Sequence, residues 1–431
     1  MAALAAVSCA TYPQRTAAAF ADFQRGQLSQ ALSAYEKPRT TGSPFLEFAE
    51  SGMVALTAGE WDRAIQQLSK ASEFSKEYED RALIDPESVG DTILSWTINE
   101  SQKTYHGEGY ERVMIHACLA MAYLAKGQLT DAEVETRRAN TLLESEEKLY
   151  EKSYRAGGLG HLLSAIAYEL DRKKDDAYID YERMVEKGVG EGLAGRALVR
   201  LARETHRQDD LAHWKERFGD VEPAPKDAAQ VFVIAGVGTG PFKRETTLPI
   251  PAPEGLLQWS IPSYERRPQP VTSLVLEVQG GDKSVRTVVV EDVDAVAAEN
   301  LSDRILWLSA KSAVRAILKY QLTKKLEKEA GGLGQLAGIL FTFVTERADL
   351  RAWQTLPDTW QAAHVYLPVG IHPLALVADG GERVQLGTFE LEPGETMFVF
   401  ARTIGVRVFA YPVGGKRTDA PPDTQAEATK P

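Results

Sequence analysis

Three glycines in the first third of the chain recur at a nearly constant spacing, and each begins the same short pattern. Gly26, Gly59 and Gly127 are separated by 33 and 68 residues, and the second spacing is twice a period of 34. A small residue follows each glycine by five positions, as Ala64 follows Gly59. Glycine readily ends a helix in a left-handed turn. The pattern therefore predicts pairs of antiparallel helices that stack side by side.

Two weaker copies extend the pattern towards the middle of the chain. Arg172 and Arg207 stand at the equivalent turn positions, 35 residues apart, and alanine again follows each of them by five positions. The step from Gly127 to Arg172 is longer, at 45 residues. It predicts an insertion that ends in a glycine-rich loop, residues 157–160, at the start of the next helix.

The spacing and the small residues resemble those of the tetratricopeptide repeat (TPR). The resemblance covers roughly residues 15–220, lapses between residues 71 and 110, and implies a TPR-like helical repeat domain over residues 10–221. Repeats of this kind form a curved solenoid whose concave face binds peptides or proteins. The resemblance thus implies a protein partner held by the repeats. The alternative is that the helices only support the second half of the chain.

The sequence pattern changes after residues 222–229, a proline-containing stretch that predicts a linker. Short β-branched runs such as residues 231–234 are followed by glycine, which is typical of buried strands. An apolar stripe of helical period between about residues 294 and 329 predicts a helix. We expect a mixed, mostly antiparallel α+β domain over residues 230–413 and a disordered tail over residues 414–431. The fold class of the whole chain is α+β, with an all-α solenoid first.

The formal net charge of -12 argues against nucleic acid as a partner, because phosphate binding needs clustered lysine and arginine. The glycine-rich residues 236–243 do not match a P-loop: Lys243 is displaced and no serine or threonine follows it directly. We expect an exposed loop there. No HExxH, GxSxG or paired cysteine motif is present. We expect no catalytic residues, no metal site and no cofactor, and we expect that the protein is not an enzyme.

The first residues of the sequence indicate where in the cell the protein is located. Residues 4–10 form a short apolar run in which Cys9 lies between small residues. The run resembles the lipobox of bacterial lipoproteins, although Ala6 stands where leucine is usual and no basic segment precedes it. The resemblance implies that residues 1–9 are a signal remnant, that Cys9 is lipidated, and that this lipid holds the protein at the periplasmic face of the outer membrane. The alternative is a plain apolar start to the first helix.

An unusual density of charged residues and tryptophan precedes Pro357. Arg351 can form a bidentate pair with a carboxylate such as Asp349 or Asp358, and Trp353 can fill a core. We interpret this stretch as a candidate recognition surface; a structural corner that ties a helix to the sheet is the alternative. The surface comprises side chains of this stretch and one from the glycine-rich loop, namely Lys243, Asp349, Arg351, Trp353 and Gln354.

The cysteine near the N-terminus, the helical repeats, the loop of residues 240–243 and the stretch of residues 348–357 together resemble a family of uncharacterised bacterial lipoproteins. The resemblance spans nearly the whole mature chain and implies no reaction. The leading hypothesis is a lipid-anchored periplasmic scaffold or adaptor that binds protein partners in the cell envelope. One alternative is an enzyme or regulator of peptidoglycan synthesis with its site in the C-terminal domain. Another is a structural component of an envelope assembly.

Overall fold

The computed structural model describes residues 10–84, 104–252, 255–279, 283–304 and 348–419, without the side chains of residues 77–84 and 247–260. Cys9 lies outside the described residues, so its lipidation stays a prediction. Most of the helix expected between residues 294 and 329 lies outside them as well.

The N-terminal part of the described chain is a series of antiparallel helices. In chain order they are α1 (Tyr12–Gln24), α2 (Leu28–Tyr35), α3 (Pro38–Thr41), α4 (Pro44–Thr57), α5 (Trp61–Ile84), α6 (Gly109–Ala125), α7 (Leu129–Tyr150), α8 (Gly158–Leu170), α9 (Lys174–Glu186), α10 (Glu191–Glu204) and α11 (Gln208–Phe218). Apart from α3, they form five pairs. The long step in the repeat is accommodated by the 22 residues of α7 and the loop that follows it.

Left-handed residues join the two helices of each pair, as the repeat predicts. The three turn glycines have φ angles between 71° and 74°. Arg172 and His206, both with φ of 60°, take the same position in the two weaker copies. His206, and not Arg207, is therefore the last turn residue, and the predicted position is wrong by one. The corrected spacing of 34 residues from Arg172 is closer to the repeat period.

Small residues allow close contact between the paired helices. Ala64 of α5 is fully buried. A Cβ atom on Gly52 of α4 would lie 2.6 Å from Cγ of Leu68 in α5. Real Cβ atoms do not approach other atoms so closely, so α4 and α5 could not keep this separation with a larger residue at position 52.

The second half of the chain is built mainly from strands. They are β1 (Ala229–Val237), β2 (Phe242–Ala252), β3 (Gly255–Glu265), β4 (Leu274–Val278), β5 (Ser284–Arg286), β6 (Val288–Asp292), β7 (Thr359–Leu367), β8 (Gly370–Ala378), β9 (Arg383–Leu391), β10 (Thr396–Ile404), β11 (Arg407–Val413) and β12 (Lys416–Arg417). One further helix, α12 (residues 293–304), follows β6.

These strands form two five-stranded sheets and a hairpin. The inner sheet, which packs on the helices, has the order β11-β10-β1-β7-β6, and the outer sheet has the order β12-β9-β8-β4-β5. Strands β2 and β3 pair with each other. Among the described strands only β1 and β10 are parallel. The predicted fold class, helices followed by a mostly antiparallel α+β part, is confirmed.

Alternation along the inner strands places the two faces of the inner sheet in different cores. Phe232, Ile234 and Phe400 pack with the helices in one continuous apolar cluster. Val233 and Val399 belong instead to the core between the inner and outer sheets. The molecule therefore has three layers: helices, inner sheet and outer sheet.

The end of the described chain corrects one prediction. Lys416 and Arg417 form β12, which pairs with β9, and the Arg417 guanidinium donates to the carbonyl of Leu386 at 2.6 Å. The expected disordered tail of residues 414–431 is therefore wrong for residues 414–419, because the main chain of residues 416–418 pairs with β9 of the outer sheet. Residues 420–431 lie outside the described part. Within that part, no helix is long and apolar enough to cross a membrane.

Candidate functional site at the junction of helices and sheet

The C-terminal half of the chain covers the first helix of every helix pair. Thr16 of α1, Glu50 of α4 and Glu111 of α6 all bond to residues beyond position 350. The start of α8 bonds to β6, and α10 packs beside β7. The surface that the repeat resemblance assigns to a separate partner is thus occupied by the protein itself. We call residues 348–358 the junction segment, because they run between the helices and the inner sheet.

Glu50 of α4 binds the main chain of the junction segment. Its carboxylate accepts the main-chain N–H groups of Gln354 at 2.8 Å and Thr355 at 3.0 Å. The carboxylate also accepts hydrogen bonds from the hydroxyl groups of Thr355 and Tyr12, both at 2.6 Å. Burial, which disfavours the charged form, raises the pKa of Glu50 to about 7 although these donors oppose the shift.

Glu111 of α6 continues the same contact one residue earlier. It accepts the main-chain N–H of Trp353 at 2.7 Å and the hydroxyl of Tyr105 at 2.7 Å. Burial, and after it the negative charge of Glu108, raise the pKa of Glu111. Two carboxylates from neighbouring repeats therefore hold three successive N–H groups, those of residues 353, 354 and 355. This is a way of binding the main chain of a turn.

Glu108, at the N-cap of α6, anchors the hairpin and α12. Its carboxylate accepts from the Lys243 ammonium and, at 2.6 Å, from Arg304 of α12. Burial opposes ionisation, but the charges of Arg304 and Lys243 hold the pKa of Glu108 well below its ordinary value. The Lys243 ammonium also lies 5.5 Å from the ring centre of Tyr264, a cation–π distance. Lys243 is thus enclosed by a carboxylate and aromatic rings.

The charged end of the junction segment folds back on itself. The Arg351 guanidinium donates to both carboxylate oxygens of Asp349, with Nη2 to Oδ2 at 2.6 Å and Nε to Oδ1 at 2.9 Å. It also stacks over Tyr105 at 4.9 Å. The predicted bidentate pair is confirmed with Asp349. Asp358 instead accepts from Arg266 at 2.9 Å.

The structure brings the five predicted site residues into one region, and four of them are buried: Lys243, Arg351, Trp353 and Gln354. Asp349 is half-buried. Their contacts are within the chain, so recognition of a separate partner stays a prediction. The expected exposed loop at residues 236–243 is wrong. Residues 231–241 are buried, because the loop packs under the junction segment, where the Gly240 N–H donates to the carbonyl of Leu356 at 2.7 Å.

A fourth carboxylate, Glu291 of β6, joins the later repeats to the inner sheet. It accepts the N–H groups of Gly157 at 3.1 Å and Leu159 at 3.2 Å, at the start of α8. These groups have no partner within the helix and carry its positive dipole end. Burial raises the pKa of Glu291 to about 7. A Cβ atom on Gly158 would lie only 1.8 Å from the carbonyl oxygen of Val290, so this contact needs glycine.

Sequence reasoning missed the four carboxylates that define this site: Glu50, Glu108, Glu111 and Glu291. A signal was present for two of them. Glu50 and Glu111 lie within helices whose other residues are mostly apolar, where an ionisable group needs a partner. The sequence does not say which partner.

The site's chemistry is that of binding a main chain. The described residues contain no group of three or more histidine, cysteine, aspartate or glutamate side chains that could hold a metal ion. Two small cavities border the junction, and neither is lined by Glu50 or Glu111.

No family model and no curated protein matches the chain. One solved structure that is similar to it is from a functional characterisation of pilF of Pseudomonas aeruginosa. The two chains are 16% identical, and the match covers 48% of this chain and 89% of that chain with a TM-score of 0.24. At this TM-score the similarity supports no conclusion about fold or function.

Proposed function

We propose that the protein is a lipid-anchored scaffold of the bacterial cell envelope that binds a protein partner through the outer face of its repeat helices. The observation that carries this proposal is the occupied inner face. Since the junction segment and the inner sheet cover the first helix of each pair, the exposed helical surface of the described residues lies mainly on second helices such as α7 and α9.

The outer helices provide a surface suited to a protein. Ile179 of α9 is 51% exposed and Val134 of α7 is 39% exposed. The helices that carry them are connected by the ion pair of Lys173 and Glu133 at 3.3 Å. Exposed residues of both charges lie near Ile179 and Val134 on the same helices, among them Asp131, Arg138, Asp176 and Arg183. Aliphatic side chains among residues of both charges fit a protein partner with an apolar contact and a rim of mixed charge.

The location is proposed from the sequence around Cys9, which resembles a lipobox. A lipid on Cys9 would hold the protein at the periplasmic face of the outer membrane. Metabolic labelling with palmitate compares the full-length protein with Cys9→Ala. We expect label in the first and its loss in the second. Equal labelling of the two would contradict the anchor without affecting the proposed outer-face contact.

Site-specific photo-crosslinking in cells tests the outer-face contact. A photoreactive residue replaces Ile179 or, separately, Val134, in the full chain. The matched control replaces Ile371 of β8, which is 62% exposed but lies on the outer sheet. We expect the same crosslinked partner from both helical positions and a much weaker product from position 371. Equal yields at all three positions, or no product at positions 134 and 179, would overturn the proposal.

A further inference from the structure

A small cavity lies between the helices and the inner sheet, away from the junction carboxylates. Its volume is about 20 Å³, enough for one small ion or one water molecule. The end of α4 and the start of α5 both border it. Its lining includes apolar and aromatic side chains and one guanidinium, namely Met53, Trp61, Met121, Trp360, Arg402 and Tyr411.

The Arg402 guanidinium is buried without a carboxylate among the hydrogen-bond partners described for it. Its Nη1 donates to the carbonyls of Gly238 and, at 2.7 Å, of Thr403, and its Nη2 donates to the carbonyl of Thr355 at 3.1 Å. Its Nε is buried and has no acceptor among the described residues. Burial lowers the pKa of Arg402 to about 9, which still leaves the group charged at neutral pH. One positive charge therefore lies inside the protein with a free donor.

A second free donor lines the same cavity. The indole of Trp360 is 1% exposed, and its Nε1 has no acceptor in the described part of the chain. The two side chains lie side by side over Gly236. A Cβ atom on that glycine would be 3.0 Å from Cδ of Arg402 and 3.2 Å from Cζ3 of Trp360. Both side chains also line the same small, otherwise mainly apolar cavity.

The buried charge and the two free donors determine which kind of ligand fits the cavity. A buried charge and two buried donors without acceptors each cost free energy. A small anion relieves all three, because it only accepts hydrogen bonds and carries the opposite charge. A water molecule could accept from both donors, but it has no charge to offset that of Arg402, and no carboxylate lines the cavity. We propose that this cavity is a binding site for one small monovalent anion such as chloride, held by Nε of Arg402 and Nε1 of Trp360.

Thermal unfolding of the full chain tests the site in solution. Melting temperatures are compared in sodium chloride and in sodium gluconate at equal ionic strength, since gluconate is too large for the cavity. Ligand binding to the folded state raises the melting temperature. We expect chloride to raise it by several degrees in the wild type, and Trp360→Phe to lose most of this difference.

The matched control is Trp353→Phe, because the Trp353 indole already donates to Thr355 at 3.2 Å and does not line the cavity. It should keep the full chloride effect. Identical melting temperatures of the wild type in both salts, or an undiminished chloride effect in Trp360→Phe, would overturn the proposal.

Crystals of the wild type grown in chloride give a test that does not depend on a folded variant. Long-wavelength diffraction should show an anomalous chlorine peak within hydrogen-bond distance of Nε of Arg402 and Nε1 of Trp360. Density for an oxygen-sized scatterer without an anomalous signal would mean that the cavity holds water, and the anion site would be rejected.

Discussion

The two faces of the inner sheet are held to their neighbours in different ways. Towards the outer sheet the contact is largely aliphatic, with residues such as Val233, Val399 and Leu376 fully buried. Towards the helices the apolar contact is supplemented by buried carboxylates, among them Glu50 and Glu291, that accept main-chain N–H groups. We call the first contact the sandwich core and the second the junction.

The two contacts differ in whether they fix the orientation of the groups that they join. Apolar burial is strong but has no direction, so it holds two sheets together without fixing individual groups. Carboxylates that bind main-chain N–H groups work only in one geometry, and their burial costs free energy if that geometry is lost. The junction therefore gains orientation at some expense in stability. Four predictions test this contrast.

The largest loss of stability is expected where the main chain of α8 lies closest to that of β6. Gly158→Ala places a Cβ atom 1.8 Å from the Val290 carbonyl oxygen, so the start of α8 must move away from Glu291. We expect a loss of roughly 4 kcal/mol in the free energy of unfolding, typical of severe core changes. Denaturant unfolding measures it.

Gly192→Ala is the control for this change, because it also lies near a helix start but has no atom within 4 Å of its added Cβ. Replacing glycine by alanine in an open helical position stabilises by up to about 1 kcal/mol. A similar loss of stability in both variants would show that the close approach at Gly158 is not the cause.

The second prediction concerns Glu50. Leaving a buried hydrogen-bond donor without its acceptor costs about 1–3 kcal/mol. Glu50→Ala leaves the N–H groups of Gln354 and Thr355 without their acceptor. We expect a loss of about 3 kcal/mol at pH 6 by denaturant unfolding. Glu47→Ala, on the same helix but half-buried, should cost under about 0.5 kcal/mol. Equal costs would mean that the junction depends on α4 as a helix and not on the Glu50 carboxylate.

The sequence predicts the sandwich core and the helix turns better than the junction, for a physical reason. The turn at Gly59 and the strand that contains Val233 follow from local rules, namely left-handed φ and apolar runs. Glu50 and Thr355, in contrast, are separated by 305 residues. An acidic residue in an apolar helix predicts that a partner exists, but only the folded chain identifies it. The predicted exposure of residues 236–243 is wrong for the same reason.

The third prediction is a pH dependence specific to the junction. The pKa of Glu50 is about 7 in the folded protein against an ordinary value of 4.5. The folded state therefore holds this proton more tightly than the unfolded state. The contribution of Glu50 to the stability of the folded state is most favourable below pH 4.5 and is lost as the pH rises to about 7.

This shift in pKa corresponds to a change of roughly 2–3 kcal/mol in the free energy of unfolding between pH 4.5 and 7.5. Glu50→Gln cannot titrate, so the stability of the wild type relative to this variant should fall between pH 4.5 and 7.5. Denaturant unfolding over this range measures the difference. Parallel pH profiles of the two proteins would show that Glu50 ionises at its ordinary pKa and would weaken the contrast between the two contacts.

The smallest effect compares one ion pair of the junction with one on the outer sheet. Arg351 and Asp349 form a bidentate pair that is mostly buried, whereas Arg286 and Asp379, at 3.1 Å, have side chains 58% and 56% exposed. Lysine keeps the charge but cannot make the two parallel hydrogen bonds. Arg351→Lys should therefore cost about 1 kcal/mol, and Arg286→Lys less than about 0.5 kcal/mol. High salt should leave the cost of Arg351→Lys nearly unchanged, because screening acts mainly on exposed ion pairs. Equal effects of the two substitutions would mean that geometry matters no more at the junction than on the surface.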